Sequence, residues 1–178
     1  MRKSLAMLLC WALFPLTAWS ALGIGDFTLG MSRQQVLDTL KPYFAQVNRE
    51  YNLSYSVPMP YYRALEPNHP YSLGDVPIYV VGAYFDDADR LKQLSISFNT
   101  TDVERVKRQV PLMQKAQLVP DTDGRHEVFL TDGELIYRVS NVFDWTTVEI
   151  ADKATSALNI ETRAHYDKID RARRAKSK

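Results

Sequence analysis

The fold of this chain is decided by IYVVGAYFDDADRLKQLSISF, which spans residues 78–98 of 178. Residues 78–85 and 91–98 are two runs rich in β-branched and aromatic side chains, and five mostly polar residues separate them. The second run alternates apolar with polar side chains, the apolar ones being Leu94, Ile96 and Phe98. Such alternation is typical of a strand that is buried on one face only. The stretch therefore predicts an antiparallel β-hairpin.

Further strands are predicted towards the C-terminus. Residues 127–130 and 134–139 flank an Asp-Gly pair, which is a strong hairpin turn signal because both residues tolerate positive φ angles. A last strand is predicted over residues 142–150, with Phe143 and Trp145 on one of its faces. Together with the first hairpin, these segments predict an antiparallel sheet.

A helix is predicted after Gly30, which ends a short strand. Ser32 and Gln35 have the spacing of a capping box, in which each side chain accepts a hydrogen bond from the other residue's backbone N–H. Apolar side chains then recur at helical spacing, and they are Val36, Leu37 and Leu40. Pro42 breaks this helix. A second helical piece is predicted after it, carrying Tyr43, Phe44 and Val47.

A similar unit is predicted 69 residues later. Thr101 and Glu104 have the spacing of a second capping box, and in both units a proline follows ten residues after the cap. The second apolar stripe is Val103, Val106 and Val110, with a further amphipathic piece beyond it. This parallel predicts an internal duplication of residues 24–98 and 99–150. The expected fold class is α+β, with two helix-then-hairpin units, helices packed on one face of an antiparallel sheet, and a basic C-terminal helix.

The first twenty residues have the composition of an export signal. Arg2 and Lys3 precede an apolar run, and the small side chains of Ala18 and Ser20 suit a signal peptidase that cuts after Ser20. An uncleaved membrane anchor is the alternative, because about 20 apolar residues span a bilayer. Cleavage removes the one cysteine, Cys10. An exported chain without disulfides favours the bacterial periplasm.

Charge is distributed unevenly along the chain despite a net charge of +1. Residues 21–160, which we expect to form one domain, carry 13 basic and 18 acidic side chains, whereas the expected helical tail at 161–178 carries seven and three. The near-neutral total argues against a nucleic-acid binder. A basic helix can contact acidic phospholipids or an acidic partner, and a solvated, frayed terminus is the alternative. The candidate contact residues are Arg171, Arg173 and Arg174.

The sequence IGDFTLGMSRQQV, residues 24–36, resembles the opening of the SmpA/OmlA outer-membrane assembly lipoprotein family. The tandem helix-then-hairpin plan is also similar to the β-lactamase-inhibitor-protein fold. This resemblance implies a helix pair against an antiparallel sheet and a non-enzymatic, protein-binding role. The chain departs from the family because it lacks the lipoprotein cysteine and has Lys41-Pro42-Tyr43 where a Gly-x-Pro often ends the first helix. No functional residue transfers with the motif.

Side chains capable of catalysis or metal binding form no recognisable motif. His69, His126 and His165 are too scattered for a helical metal pair, and no glutamate stands at the spacing of a zinc protease. The acidic runs at 86–89 and 121–124 lack the glutamate that closes a calcium-binding loop, which favours ordinary turns. We therefore expect no cofactor, no metal and no evident small-molecule substrate.

Residues 51–80 have the most unusual composition in the chain. They hold six of the ten tyrosines and five of the nine prolines, and we interpret them as a long inserted loop. Tyrosine supplies a large contact area at low entropic cost, and proline lowers the entropy that a loop loses on ordering. The alternative is that these rings pack on the protein's own sheet. The candidate partner-binding residues are Tyr51, Tyr55, Tyr61, Tyr62 and Tyr71.

Three functions remain open at this point. The leading hypothesis is an exported periplasmic module that binds another envelope protein and catalyses no reaction. The first alternative is an inhibitor or immunity protein that neutralises a secreted hydrolase or toxin, whose basic active site would attract the acidic body of this chain. The second alternative is a hydrolytic enzyme whose site the sequence does not reveal.

Overall fold

An antiparallel sheet dominates the computed structural model, which describes residues 23–50, 61–114, 119–120, 126–132, 135–142 and 144–176. Strands account for 46% and helices for 27% of the structure, so the sheet sets the architecture. The elements in chain order are β1 (Gly23–Ile24), β2 (Phe27–Thr28), α1 (Arg33–Leu40), β3 (Val47–Glu50), β4 (Tyr61–Leu65), β5 (Ser72–Leu73), β6 (Val76–Phe85), β7 (Leu91–Phe98), α2 (Val103–Gln109), β8 (Val119–Pro120), β9 (His126–Asp132), β10 (Leu135–Val142), β11 (Trp145–Asp152) and α3 (Lys153–Lys176).

The strands of both halves of the chain join one sheet. Seven of them pair in the order β3-β4-β6-β7-β11-β10-β9, and the two-residue strands β5 and β8 extend the sheet at β6 and β9. All of these pairings are antiparallel. Both predicted hairpins are confirmed, since β6 pairs with β7 and β9 with β10. β1 and β2 form a separate two-stranded ribbon.

The predicted α+β arrangement of two helix-then-hairpin units, with helices packed on one face of the sheet, is wrong. The first two helices have only eight and seven residues, whereas β6 alone has ten. β7 pairs directly with β11, so the two hairpin regions merge into a continuous sheet. Capping signals and prolines act locally and carry no information about the pairing of distant strands. The internal duplication of residues 24–98 and 99–150 stays a prediction.

The first helix begins as predicted, whereas the second does not. The Ser32 side chain accepts from the backbone N–H of Gln35 at 3.2 Å, and the Gln35 side chain accepts from the N–H of Ser32 at 2.8 Å. For α2, the cap is Asp102, whose carboxylate accepts from the N–H of Arg105 at 2.9 Å. The predicted cap at Thr101 is therefore wrong by one residue, because the carboxylate of Asp102 satisfies the helix N-terminus instead.

Three other local predictions need correction. The second helical piece is absent, because Tyr43 closes a turn after α1 and Val47 begins β3. The piece after Pro111 is a single 3-10 turn ending at Met113, and residues 115–118 lie outside the described part. A turn at Asp144 divides the predicted last strand between β10 and β11. The expected C-terminal helix is present, although it begins at Lys153.

The hydrophobic core is a single cluster that joins the sheet to the first two helices. The alternation along β7 is confirmed from Leu94 onwards, since Leu94, Ile96 and Phe98 are buried and Ser95 and Ser97 are half-buried, whereas the polar Gln93 is buried as well. Both helices contribute apolar side chains to the same cluster, namely Val36, Leu40, Val103 and Val106. The opposite face of the central strands carries the side chains that lie outside this cluster.

Candidate protein-binding surface

The sheet face opposite the core carries polar and aromatic side chains from five adjacent strands, β3, β4, β6, β7 and β11. We call this surface the polar face. Strand registers and ring contacts place on it Glu50, Tyr61, Arg63, Tyr79, Gly82, Ser95, Ser97, Trp145, Thr147 and Glu149.

The middle of the polar face is a floor of small side chains along β7. Ser95 pairs with Gly82 on one neighbouring strand and with Glu149 on the other. The hydroxyl oxygens of Ser97 and Thr147 lie 2.9 Å apart and share a hydrogen bond. Both serines are half-buried, so solvent reaches the floor between the larger side chains beside it.

Tyr61 extends over the neighbouring strand β6 because that strand carries a glycine at this point. A Cβ atom at Gly82 would stand 2.7 Å from the hydroxyl oxygen of Tyr61, which is closer than real contacts allow. The ring also contacts that of Tyr84, with centroids 4.5 Å apart. Burial raises the pKa of Tyr61 above its ordinary value of 10.0, while the charge of Arg63 opposes the shift. The phenol is therefore neutral at physiological pH and can both donate and accept hydrogen bonds.

Two ion pairs frame the polar face. Arg63 Nη1 lies 3.8 Å from Glu50 Oε2, and both side chains are more than a third exposed. On the other side, Arg138 Nη1 lies 4.0 Å from Glu149 Oε1, and these side chains are more deeply placed. An exposed pair such as Arg63–Glu50 contributes little to stability, so the charges of that pair remain accessible to a partner.

A pair of aromatic rings stands at one end of the polar face. Tyr79 and Trp145 belong to the strands on either side of β7, and their ring centroids are 4.9 Å apart with an angle of 45° between the planes. The small Ser97 on the strand between them leaves room for this contact. The Tyr79 hydroxyl donates to Glu66 Oε1 at 2.5 Å, and this hydrogen bond raises the pKa of Tyr79. Leu65, which precedes Glu66 in the sequence, is 42% exposed.

The structure does not bring the three predicted tyrosines that it describes onto one surface. Tyr61 lies on the polar face, whereas its neighbour Tyr62 lies on the opposite side of β4 because successive side chains of a strand alternate. There the Tyr62 hydroxyl accepts from the guanidinium of Arg33 at 2.9 Å, and its ring meets Phe85 edge to face. Tyr62 therefore has a role within the fold.

Tyr71 is a core residue, which corrects its placement among the candidate contact residues. It is only 8% exposed, and its ring stacks on that of Tyr43 with centroids 4.2 Å apart. Tyr51 and Tyr55 lie outside the described residues. The interpretation of residues 51–80 as one loop is wrong from Tyr61 onwards, because β4, β5 and the start of β6 lie there. Tyrosine is a good strand former, which the loop interpretation overlooked.

The acidic run after β6 has a structural role. The Asp86 carboxylate accepts from the backbone N–H groups of Ala88 and Arg90, at 3.0 and 2.8 Å. The carboxylate of Asp89 pairs with Arg33 at 2.7 Å. Within the described ranges, no group of histidine, cysteine or acidic side chains is arranged to hold a metal ion.

The basic C-terminal segment lies in α3. Arg171 is exposed there, whereas the side chains of Arg173 and Arg174 are outside the described part. None of the helices that the structure describes is both long enough and apolar enough to cross a lipid bilayer.

Sequence reasoning missed the end of the polar face formed by Glu66, Tyr79 and Trp145. One signal pointed to this end, because Trp145 stands on a predicted strand. The contact between Trp145 and Tyr79 could not be predicted, because it depends on the order of three strands.

No family model matches this chain, and no curated protein or solved structure is significantly similar to it.

Proposed function

We propose that this chain is an exported, periplasmic protein-binding module that contacts another envelope protein through the polar face and catalyses no reaction. One observation carries the proposal: Tyr61, Arg63, Tyr79 and Trp145 are all partly exposed on the same face of paired strands. Tyrosine, tryptophan and arginine are enriched in protein interfaces and above all among the residues that dominate binding energy.

The rigidity of the polar face also supports the proposal. The ring of Tyr61 packs against both Gly82 and Tyr84 of the neighbouring strand β6. A side chain that is already held in place loses little entropy when a partner binds. The floor of small side chains along β7 leaves room for a side chain of that partner.

Export is the second part of the proposal, and it rests on the signal-like composition of the first twenty residues. Cleavage after Ser20 leaves 20 basic and 21 acidic residues. The resemblance of residues 24–36 to the SmpA/OmlA family agrees with a role in the envelope. The protein recovered from the periplasmic fraction is expected to begin at Ala21.

The test compares two variants in affinity purification from intact envelopes of the source cells. Wild-type protein should recover one stoichiometric partner, and Tyr61→Ala should weaken that complex by about tenfold or more, as truncation of an interface tyrosine does. Lys41→Ala is the control, because Lys41 is exposed beyond the end of α1, away from the polar face.

Thermal unfolding of both variants shows that each is folded. Recovery of no partner, or equal affinity of Tyr61→Ala and wild type for the partner, contradicts the proposal. A partner that is a hydrolase and loses its activity in the complex identifies the module as an inhibitor.

A further inference from the structure

We propose that Trp145, Tyr79 and Glu66 form a seat for a cationic side chain, lysine or arginine, of the protein partner. The inference rests on the proposed function and specifies the chemistry of the partner at one end of the polar face. It is carried by the geometry of two rings and a carboxylate, and by the charges around them.

The rings supply the first half of the seat. Tyr79 and Trp145 are tilted by 45° with centroids 4.9 Å apart, and both residues are half-buried, so the pair is partly open to solvent. The faces of aromatic rings are electron-rich and attract cations, and tryptophan does so most strongly. A guanidinium or ammonium group that settles on the indole also contacts the neighbouring phenol.

Glu66 supplies the second half of the seat. It is exposed, and its Oε1 accepts from the Tyr79 hydroxyl, while its Oε2 makes no hydrogen bond with any described residue. That second oxygen can accept a charge-assisted hydrogen bond from a cation placed on the rings.

The backbone holds this carboxylate beside the rings. Glu66 has a φ angle of 53°, which is costly for a residue with a side chain. Its N–H donates to the carbonyl oxygen of Tyr79 at 3.0 Å, so both backbone and side chain tie Glu66 to the same tyrosine. Strained residues of this kind are concentrated at binding sites.

The surroundings of the seat favour a positive ligand. Arg63 is the cation whose charge affects Tyr79, and it is already paired with Glu50 at 3.8 Å. Asp144, next to Trp145 in sequence, is exposed and adds a negative charge. The exposed side chain of Leu65 offers apolar surface for the methylene stem of a lysine or arginine.

The experiment uses the full chain carrying Trp11→Phe and Trp19→Phe, so that Trp145 is the one remaining tryptophan. The probe is the peptide acetyl-Ala-Arg-Ala-amide, with acetyl-Ala-Gln-Ala-amide as the uncharged comparison. Binding is followed by the indole N–H resonance of Trp145 in NMR spectra. The arginine peptide should shift this resonance to saturation, and the glutamine peptide should leave it unmoved.

Two variants and one control show whether the shift of the Trp145 resonance reports binding at the seat. Glu66→Gln should weaken binding of the arginine peptide by about fivefold, as the loss of one exposed charge partner predicts. Asp87→Asn is the matched control, because it removes one exposed carboxylate from the turn after β6, outside the seat. Tyr79→Leu keeps the indole signal and removes the second ring, so it should also weaken binding.

The outcomes separate this inference from the proposed function. Equal shifts with both peptides, or unchanged binding by Glu66→Gln, overturn the cation seat. A partner complex that Tyr61→Ala weakens and Glu66→Gln does not also overturn the seat, although the proposed function then stands. Peptide binding that depends on Glu66, without any partner recovered from envelopes, supports the seat and contradicts the proposed function.

Discussion

At the scale of single residues, the tyrosines divide between the interior and the polar face. Tyr61 and Tyr62 are neighbours in sequence and lie on opposite sides of β4, whereas Tyr71 is stacked in the core. Composition alone could show that the segment is unusual. It could not assign a face to each ring, because that depends on strand register and on what lies beneath, such as Gly82 under Tyr61.

The pH dependence of stability tests the burial of Tyr71. Burial is the main cause that raises the pKa of Tyr71 far above its ordinary value of 10.0. Because the folded pKa exceeds the unfolded one, the protonated ring favours the folded state fully below about pH 10, and this contribution is lost as pH rises towards the folded pKa. The free energy of unfolding should therefore decrease above about pH 10.

Urea unfolding at several alkaline pH values, read out by circular dichroism, measures this decrease. Tyr71→Phe should show a smaller slope, because the group that titrates on unfolding is missing. Equal slopes for wild type and Tyr71→Phe would show that Tyr71 ionises without unfolding.

At the scale of elements, local signals predicted those parts that local interactions stabilise. The capping box of Ser32 and Gln35, the β6–β7 hairpin and the pairing of β9 with β10 were all predicted from a few adjacent residues. The helical piece after Pro42 failed because distant contacts overrode a local pattern. There the carbonyl oxygen of Tyr43 accepts from the N–H groups of Asn68 and His69, which a continued helix would not permit.

Substitutions at Asp102 and Thr101 distinguish the observed cap of α2 from the predicted one. Asp102→Ala should lower the free energy of unfolding by about 1 kcal/mol, because the N–H of Arg105 loses its acceptor. Thr101→Ala should change it by less than about 0.5 kcal/mol, as expected of an exposed substitution outside the cap. Urea unfolding of both variants at neutral pH provides the measurement. A cost for Thr101→Ala as large as that for Asp102→Ala would restore the cap predicted from the sequence.

At the scale of the whole molecule, the pairing of β7 with β11 determines both the fold and the site. It joins Ser97 to Thr147, which are 50 residues apart. No local pattern encodes such a pairing, so the sequence predicted the hairpins correctly and their arrangement wrongly. The contact between Tyr79 and Trp145 depends on the same junction, and for that reason the end of the polar face could not be predicted.

Amide hydrogen exchange tests the central position of this junction. β7 is paired on both sides, with β6 and β11, whereas β3 is paired with β4 on one side and ends the main strand order. Backbone groups with two strand neighbours open only when much of the structure unfolds. The slowest amides in NMR exchange spectra should therefore lie in β6, β7 and β11, and those of β3 should exchange much faster. Equal protection of β3 and β7 would contradict this order.

The charged side chains of the outer strand β3 have a consequence for colloidal behaviour. A long, flat outer strand is a template on which further chains add and fibrils grow. Here β3 stands at one end of the described strand order, and its residues Val47–Glu50 include the charged side chains of Arg49 and Glu50. Charges on an outer strand oppose its pairing with a second chain, so the folded protein should not polymerise through β3, even though nearly half of its structure is strand.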